Sequence, residues 1–262
     1  MDVFRFFFVT LQAIKKQKKT MYQEAIKQYL KKHGYERIDL KAVLFDMDGV
    51  LFNSMPNHTQ SWHKIMERFG FGLSEEEAYL HEGRTGADTI NIISRRERGH
   101  DATDEEIKAI YAAKAEEFNK CPEAPRMPGA WEVIQKIKTD GITRMVVTGS
   151  GQVSLLERLN RNFPGIFRKE LMVTAFDIKY GKPNPDPYLM ALEKGGFRPN
   201  ETIVIENAPL GVQAGVAAGI FTIAVNTGPL PDQVLWEAGA NLLFHSMNEF
   251  NEAWEEIKKA VD

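Results

Sequence analysis

Apolar residues fall along the chain in six short runs: AVLF (42–45), RMVVT (144–148), ELMVT (170–174), TIVI (202–205), FTIAV (221–225) and NLLF (241–244). Within each run they are consecutive rather than alternating, the pattern of a strand buried on both faces, which parallel sheets produce because their crossover helices cover both sides. Helical spacing of apolar positions lies between the runs, at 129–139, 151–161, 187–194 and 209–218. The alternation predicts an α/β fold built on a parallel sheet.

It breaks once. From Pro56 to about Arg126 the chain is helical in period and polar in composition, with helix-start signals at Ser74 (SEEEAYL) and Thr103 (TDEEIKAIYAAKAEEF) and no strand. A helical cap inserted over 56–126 follows, joined to a core of 38–55 and 127–262 through NSMPNH and the proline-rich CPEAPRMPG, which suit a two-stranded hinge. Residues 1–37 form an N-terminal extension. Its MYQEAIKQYLKKHGY segment reads as an amphipathic helix ending at Gly34. The apolar stretch VFRFFFVTLQAI before it is too short to span a bilayer, and its basic residues follow rather than precede it, contrary to a signal peptide. Translation is expected to start at Met21.

With 262 residues, 43% hydrophobic and 26% charged, the composition is that of an ordinary globular chain. A formal net charge of -3 argues against a broad nucleic-acid footprint and toward a small ligand. No membrane association is expected. The single cysteine, Cys121, excludes a disulfide framework and a multi-cysteine zinc site and fits a reducing, cytoplasmic location.

In open parallel sheets ligands bind beyond the carboxyl ends of the strands. The first run ends in Asp46 and Asp48, the second in Thr148, Gly149 and Ser150, and the fourth in Glu206 and Asn207; AFDIKYGKPNPDPY after the third carries Lys182. Taken singly each is weak, since a DxD after a strand is often a turn and GSG lacks the third glycine of a dinucleotide fingerprint, Ser154 standing there instead. Together they aim acids, a hydroxyl and one lysine at a single face. Converging carboxylates call for a cation, and oxygen ligands suit Mg²⁺ rather than zinc. Magnesium in turn suggests phosphate, whose charge Lys182 and the amides of the TGSG turn would help to offset.

FDMDGVL, VVTGS, GKPNPDPY and VIENAPLGVQAG resemble, in order and spacing, the four motifs of the haloacid dehalogenase superfamily, in its β-phosphoglucomutase-like branch with a helical cap after the first motif. The resemblance spans roughly residues 40–230 and implies a Rossmann-like core, Mg²⁺ and an aspartyl-phosphate intermediate. By position Asp46 matches the nucleophile and Asp48 the general acid and base, whose backbone carbonyl ligates the metal with the Asp46 side chain. Thr148 and Lys182 match the groups that hold the phosphoryl oxygens, with Gly149 and Ser150 beside them. Asn207 stands where many relatives have an aspartate, so the metal set of Asp46, Asp48, Glu206 and Asn207 lacks one acid, which Glu82 of the cap is placed to replace. His58, Lys114 and Arg84 are cap candidates for the leaving group, while the mutase arginine that grips the far phosphate falls on Gly86.

The stretch from LFDMDGVLF through HEGRTGADTINI resembles the members of the branch that hydrolyse inorganic pyrophosphate. The expected activity is therefore Mg²⁺-dependent hydrolysis of pyrophosphate, with a β-phosphoglucomutase or a small sugar-phosphate phosphatase as the alternative. A non-catalytic binding protein would be marked by loss of a motif aspartate, and both Asp46 and Asp48 are present.

Overall fold

The computed structural model describes residues 2–151 and 155–261, with side chains from residue 16 and, in the helix after 154, from residue 157. Ser154, compared above with a third glycine, and the first turn of the helix expected from 151 lie outside the described residues. Six parallel strands, β1 (Ala42–Phe45), β2 (Thr143–Val147), β3 (Met172–Val173), β4 (Thr202–Glu206), β5 (Phe221–Val225) and β6 (Leu242–Phe244), form one sheet in the order β3-β2-β1-β4-β5-β6. This is the expected Rossmann-like α/β architecture. The six apolar runs became the six strands, β3 being shorter than its run because Lys169–Leu171 coils into a 3₁₀ turn.

Alternate residues of each strand enter different cores. Val43, Phe45, Ile203 and Ile205 pack with the aromatic cluster of Phe163, Phe221, Phe250 and Trp254, while Ala42, Leu44 and Val204 pack with Tyr188 and Leu192 on the other face. Both faces are covered by helices α6 (Ala130–Thr139), α7 (Leu155–Asn162), α8 (Asp186–Gly195), α9 (Pro209–Ala217), α10 (Asp232–Glu237) and α11 (Met247–Val261). Helix α11 was not anticipated, although Met247, Phe250, Trp254, Ile257 and Val261 form a helical stripe that is fully buried or nearly so.

Register decides where the chemistry lies. Phe45 pairs with Val146 on one side and Ile205 on the other, so the next residues, Asp46 and Glu206, emerge side by side. Sheet order reverses at β1: the chain steps outward from β1 to β2 and β3, then crosses back to β4 on the other side of β1, which opens a crevice. Beyond β1 the chain turns sharply through Gly49, whose φ of 81° is left-handed and whose missing side chain makes room for Asn207, 2.0 Å from where a Cβ would sit. Two linkers then run together: Asn53 N–H donates to the Pro125 carbonyl at 2.9 Å and Met127 N–H to Leu51 at 2.8 Å.

Between the linkers lie α2 (Met55–Arg68), α3 (Glu75–Leu80), α4 (Gly86–Arg98) and α5 (Asp104–Lys120), around a separate cluster of Ile65, Met66, Phe71, Ile90, Ile93 and Ile110. Ser74 and Thr103 cap helices as expected, the latter in a full capping box with Glu106. At the N-terminus the helix is longer than the expected segment: α1 runs Asp2–His33 without a break, because its lysines and glutamines are good helix formers and no glycine or proline interrupts it. It docks on the core. Tyr22, Ile26 and Tyr29 are buried with Phe244 and Trp254, and Tyr29 donates to the Gly219 carbonyl at 2.9 Å with its ring edge-on to Phe221 at 5.4 Å.

Tyr29→Ala is expected to destabilise the fold by about 3 kcal/mol, the cost of deleting a buried aromatic ring. Urea unfolding followed by circular dichroism checks this; an unchanged midpoint would mean that α1 contributes nothing to the core.

Candidate active site

The acids at the end of β1 are held differently. Asp46, buried, is paired through Oδ1 with the ammonium of Lys182, which also donates to Glu206 Oε1 at 2.5 Å and to the Val147 carbonyl at 3.3 Å. Tyr188 of α8 donates to the same Glu206 oxygen at 2.6 Å. Burial opposes charge on Lys182, but Asp46 and Glu206 outweigh it and hold the ammonium above its ordinary range. For Asp46 burial wins: with Glu206 and Asp48 nearby, its carboxyl is pushed up in spite of Lys182.

Asp48 lies the other way. Burial raises its carboxyl, yet His58, Arg158 and the Ser54 hydroxyl together pull it below the usual carboxylate range. Ser54 donates to Oδ1, and His58 Nε2 stands 3.3 Å from the same atom. Lys114 Nζ is 2.7 Å from His58 Nδ1. An ammonium only donates, so Nδ1 accepts and the imidazole proton sits on Nε2, facing Asp48. A relay thus runs from Lys114 on α5 through His58 on α2 to Asp48. Burial brings Lys114 down to about 8, with Asp48 opposing.

The loop between α3 and α4 closes over the strand ends. Its Gly83 and Arg84 carbonyls lie 3.1 and 3.2 Å from where a Gly149 Cβ would sit. Glu82 accepts from Asn207 Nδ2 at 2.9 Å, and burial, then the charge of Asp46, raises its carboxyl well above the ordinary value. Gly86 packs against Tyr111, whose ring would be 2.2 Å from an added Cβ. The cavity between loop and strand ends, partly open to solvent, is about 80 Å³. Asp46, Asp48, His58, Glu82, Arg84, Lys114, Thr148, Gly149 and Ser150 line it, so nine of the sequence candidates converge on one space.

Lys182, Glu206 and Asn207 stand behind that lining. For Glu206 this is a correction: it was expected among the metal ligands, but Oε1 is taken by Lys182 and Tyr188 while Oε2 faces the Asn207 and Ala208 amides at 3.1 and 3.5 Å. It is a counter-charge for Lys182. Among the described residues no three His, Cys, Asp or Glu side chains form a metal cage by themselves. The oxygens nevertheless fit a magnesium ion that keeps waters: Asn207 Oδ1 is buried without a hydrogen-bond partner among the described residues, next to the paired Glu82.

Several residues here were not anticipated. Tyr188 closes the GKPNPDPY motif and was within reach of a sequence reading. Ser54, Tyr111, Arg158 and His81, which lines the cavity and whose buried Nδ1 has no partner among the described residues, carry no local signal.

The sequence pattern of haloacid dehalogenase-like hydrolases matches residues 43–225. The chain belongs to that family. It is similar to hexitol phosphatase A of Escherichia coli, 31% identical over 210 residues that cover 80% of this chain and 92% of the relative. A phosphorylated carbohydrates phosphatase of Thermotoga maritima is 30% identical over 203 residues, 77% of this chain and 92% of the relative. Among solved structures, a Bacteroides vulgatus protein described provisionally as a beta-phosphoglucomutase is 76% identical, with a TM-score of 0.91 over 93% of this chain and 99% of its own. The chain is therefore a HAD-family enzyme. Among the described residues no helix is long and apolar enough to cross a membrane.

If the Lys114 ammonium helps to hold an anionic substrate, KM stays flat below pH 8 and rises by up to about tenfold above it as the charge is lost. In Lys114→Met that rise is absent and KM is high throughout. Initial rates from pH 6 to 9.5 test both.

Proposed function

We propose that the protein is a magnesium-dependent phosphohydrolase working through an aspartyl-phosphate on Asp46, with inorganic pyrophosphate as the substrate its cavity suits best. Asp46 attacks phosphorus; the bond to the leaving oxygen breaks as Asp48 relays to it the proton that His58 Nε2 holds toward Asp48, which the Lys114 ammonium replaces through Nδ1. Asp48 then takes a proton from water, which attacks the acyl phosphate and frees Asp46 and phosphate. Lys182, held by Glu206, keeps Asp46 Oδ1 fixed, and Thr148 with the Gly149 and Ser150 segment borders the transferring group. Asp46, the Asp48 carbonyl, Asn207 and Glu82 would hold magnesium. When bound, the ion offsets the negative charge of the phosphoryl oxygens.

One observation carries the choice of substrate. The place of the mutase arginine is Gly86, filled by the Tyr111 ring, and the cavity carries the cations of Lys114 and Arg84 in its cap wall, which suit a compact anion. The comparisons favour a second reading, hydrolysis of a small sugar phosphate: the curated relatives are named for phosphorylated carbohydrates, the solved structure for β-phosphoglucomutase, and none of the three for pyrophosphate. Those names support the sugar-phosphate alternative better than they support pyrophosphate.

Steady-state rates with magnesium on pyrophosphate, hexitol phosphates, hexose 6-phosphates and β-glucose 1-phosphate decide between them. A kcat/KM at least about tenfold higher for pyrophosphate is expected; preference for a sugar phosphate establishes the second reading. Asp46→Asn is expected to abolish turnover while the circular dichroism spectrum stays native. Glu82→Ala is expected to raise the magnesium concentration needed for half-maximal rate by about tenfold or more.

A further inference from the structure

Arg158 on α7 is a buried cation with too few partners. Its side chain is 13% exposed, and among the described residues neither Nε nor Nη2 has a hydrogen-bond partner. The guanidinium lies 4.0 Å over the Phe52 ring, and Nη2 stands 4.0 Å from Asp48 Oδ1, just beyond hydrogen-bonding distance. Donors left empty in a buried place are costly, so a second arrangement in which they are satisfied explains their retention.

The surroundings indicate which arrangement that is. Asp48 Oδ1 is held by Ser54 and His58. His58 belongs to α2, beyond the linker, and is braced by Lys114 of α5; both sit in the helical insert. Arg158 belongs to the core side, where its neighbour Leu159 is buried in the main cluster. Phe52, under the guanidinium, lies at the paired linkers, bridging to both Asp48 and Arg126. If the insert swings about those linkers, His58 and Lys114 leave with it, and a buried carboxylate loses its nearest cationic relay. A shift of about 1 Å would bring Asp48 into hydrogen-bonding range of Nη2.

We propose that Arg158 is a positioning residue, the core-side partner that receives the Asp48 carboxylate when the insert lifts His58 away and returns it when the insert closes. Arg158 does not line the cavity and does not touch the substrate; it acts through Asp48. The role rests on Asp48 being the proton donor and acceptor of the phosphohydrolase reaction.

Arg158→Met and Arg158→Lys, assayed by stopped flow on p-nitrophenyl phosphate and at steady state on pyrophosphate and a hexitol phosphate, test it. Nitrophenolate leaves without a proton, so the first turnover needs no acid, whereas release of the acyl phosphate still needs Asp48 as base. Arg158→Met is expected to keep its first-turnover rate and its kcat/KM on p-nitrophenyl phosphate within about threefold. Its steady-state kcat is expected to fall about tenfold or more, giving a burst and then slow turnover. Arg158→Lys, which keeps the charge, should recover part of the loss. A purely structural role would lower burst and steady state together, and that result, or no change in either, overturns the proposal. Should Arg158→Met not fold, Arg158→Gln is read in the same way. Wild-type protein inactive on all three substrates would overturn the phosphohydrolase reading itself; an active wild type without the split overturns only the positioning role.

Discussion

The site depends on one buried ammonium. Lys182 stands between Asp46 and Glu206, two carboxylates that strand register forces side by side, and neutralises a pair that would otherwise repel in a poorly hydrated crevice. Such a cluster is tolerated only when its remaining hydrogen bonds are made, and here the Val147 carbonyl, the Tyr188 hydroxyl and the amides after β4 supply them. The lysine comes from the loop after β3, so three crossovers of the sheet must all be in place before Asp46 is held. The fold and the setting of Asp46 are therefore one electrostatic unit.

Around that unit the two motif aspartates are divided by their surroundings. Asp46 meets a lysine shared with another acid and is left reluctant to ionise, while Asp48 meets histidine, arginine and a hydroxyl and stays charged. Carboxylates two residues apart thus acquire different characters from their surroundings alone. The insert contributes to both sides, bringing His58 and Lys114 to Asp48 and Glu82 to Asn207. An amide in place of a carboxylate at position 207 allows Glu82 to approach as a hydrogen-bond acceptor, where a second acid would have repelled it.

The family match begins in β1 and ends in β5, taking in the insert as well as the core motifs. The features that shape the cavity wall, Tyr111 against Gly86 and the cations of α5 and the α3–α4 loop, lie in the insert, where a relative of about 30% identity has ample freedom to differ. Relatives named for carbohydrate phosphates therefore speak firmly for the chemistry and less firmly for the leaving group.

By itself the sequence determined the sheet, because runs such as AVLF and TIVI are apolar at consecutive positions and only a doubly covered strand buries them all. It also located candidate groups that line one cavity, since a residue placed just after a parallel strand must emerge in the crevice. Helix α11 escaped because its polar face dilutes the apolar stripe that the tertiary core later buries, and α1 extends beyond MYQEAIKQYLKKHGY because no glycine or proline before that segment breaks a helix. What only the tertiary structure decided was partnership. Glu206 looks like a metal ligand in one dimension, and only the arrival of Lys182 and Tyr188 from other segments turns it into a counter-charge. Arg158 and Tyr111 likewise have no local signature, because an interaction between groups dozens of residues apart depends on distance in space, which spacing along the chain does not encode.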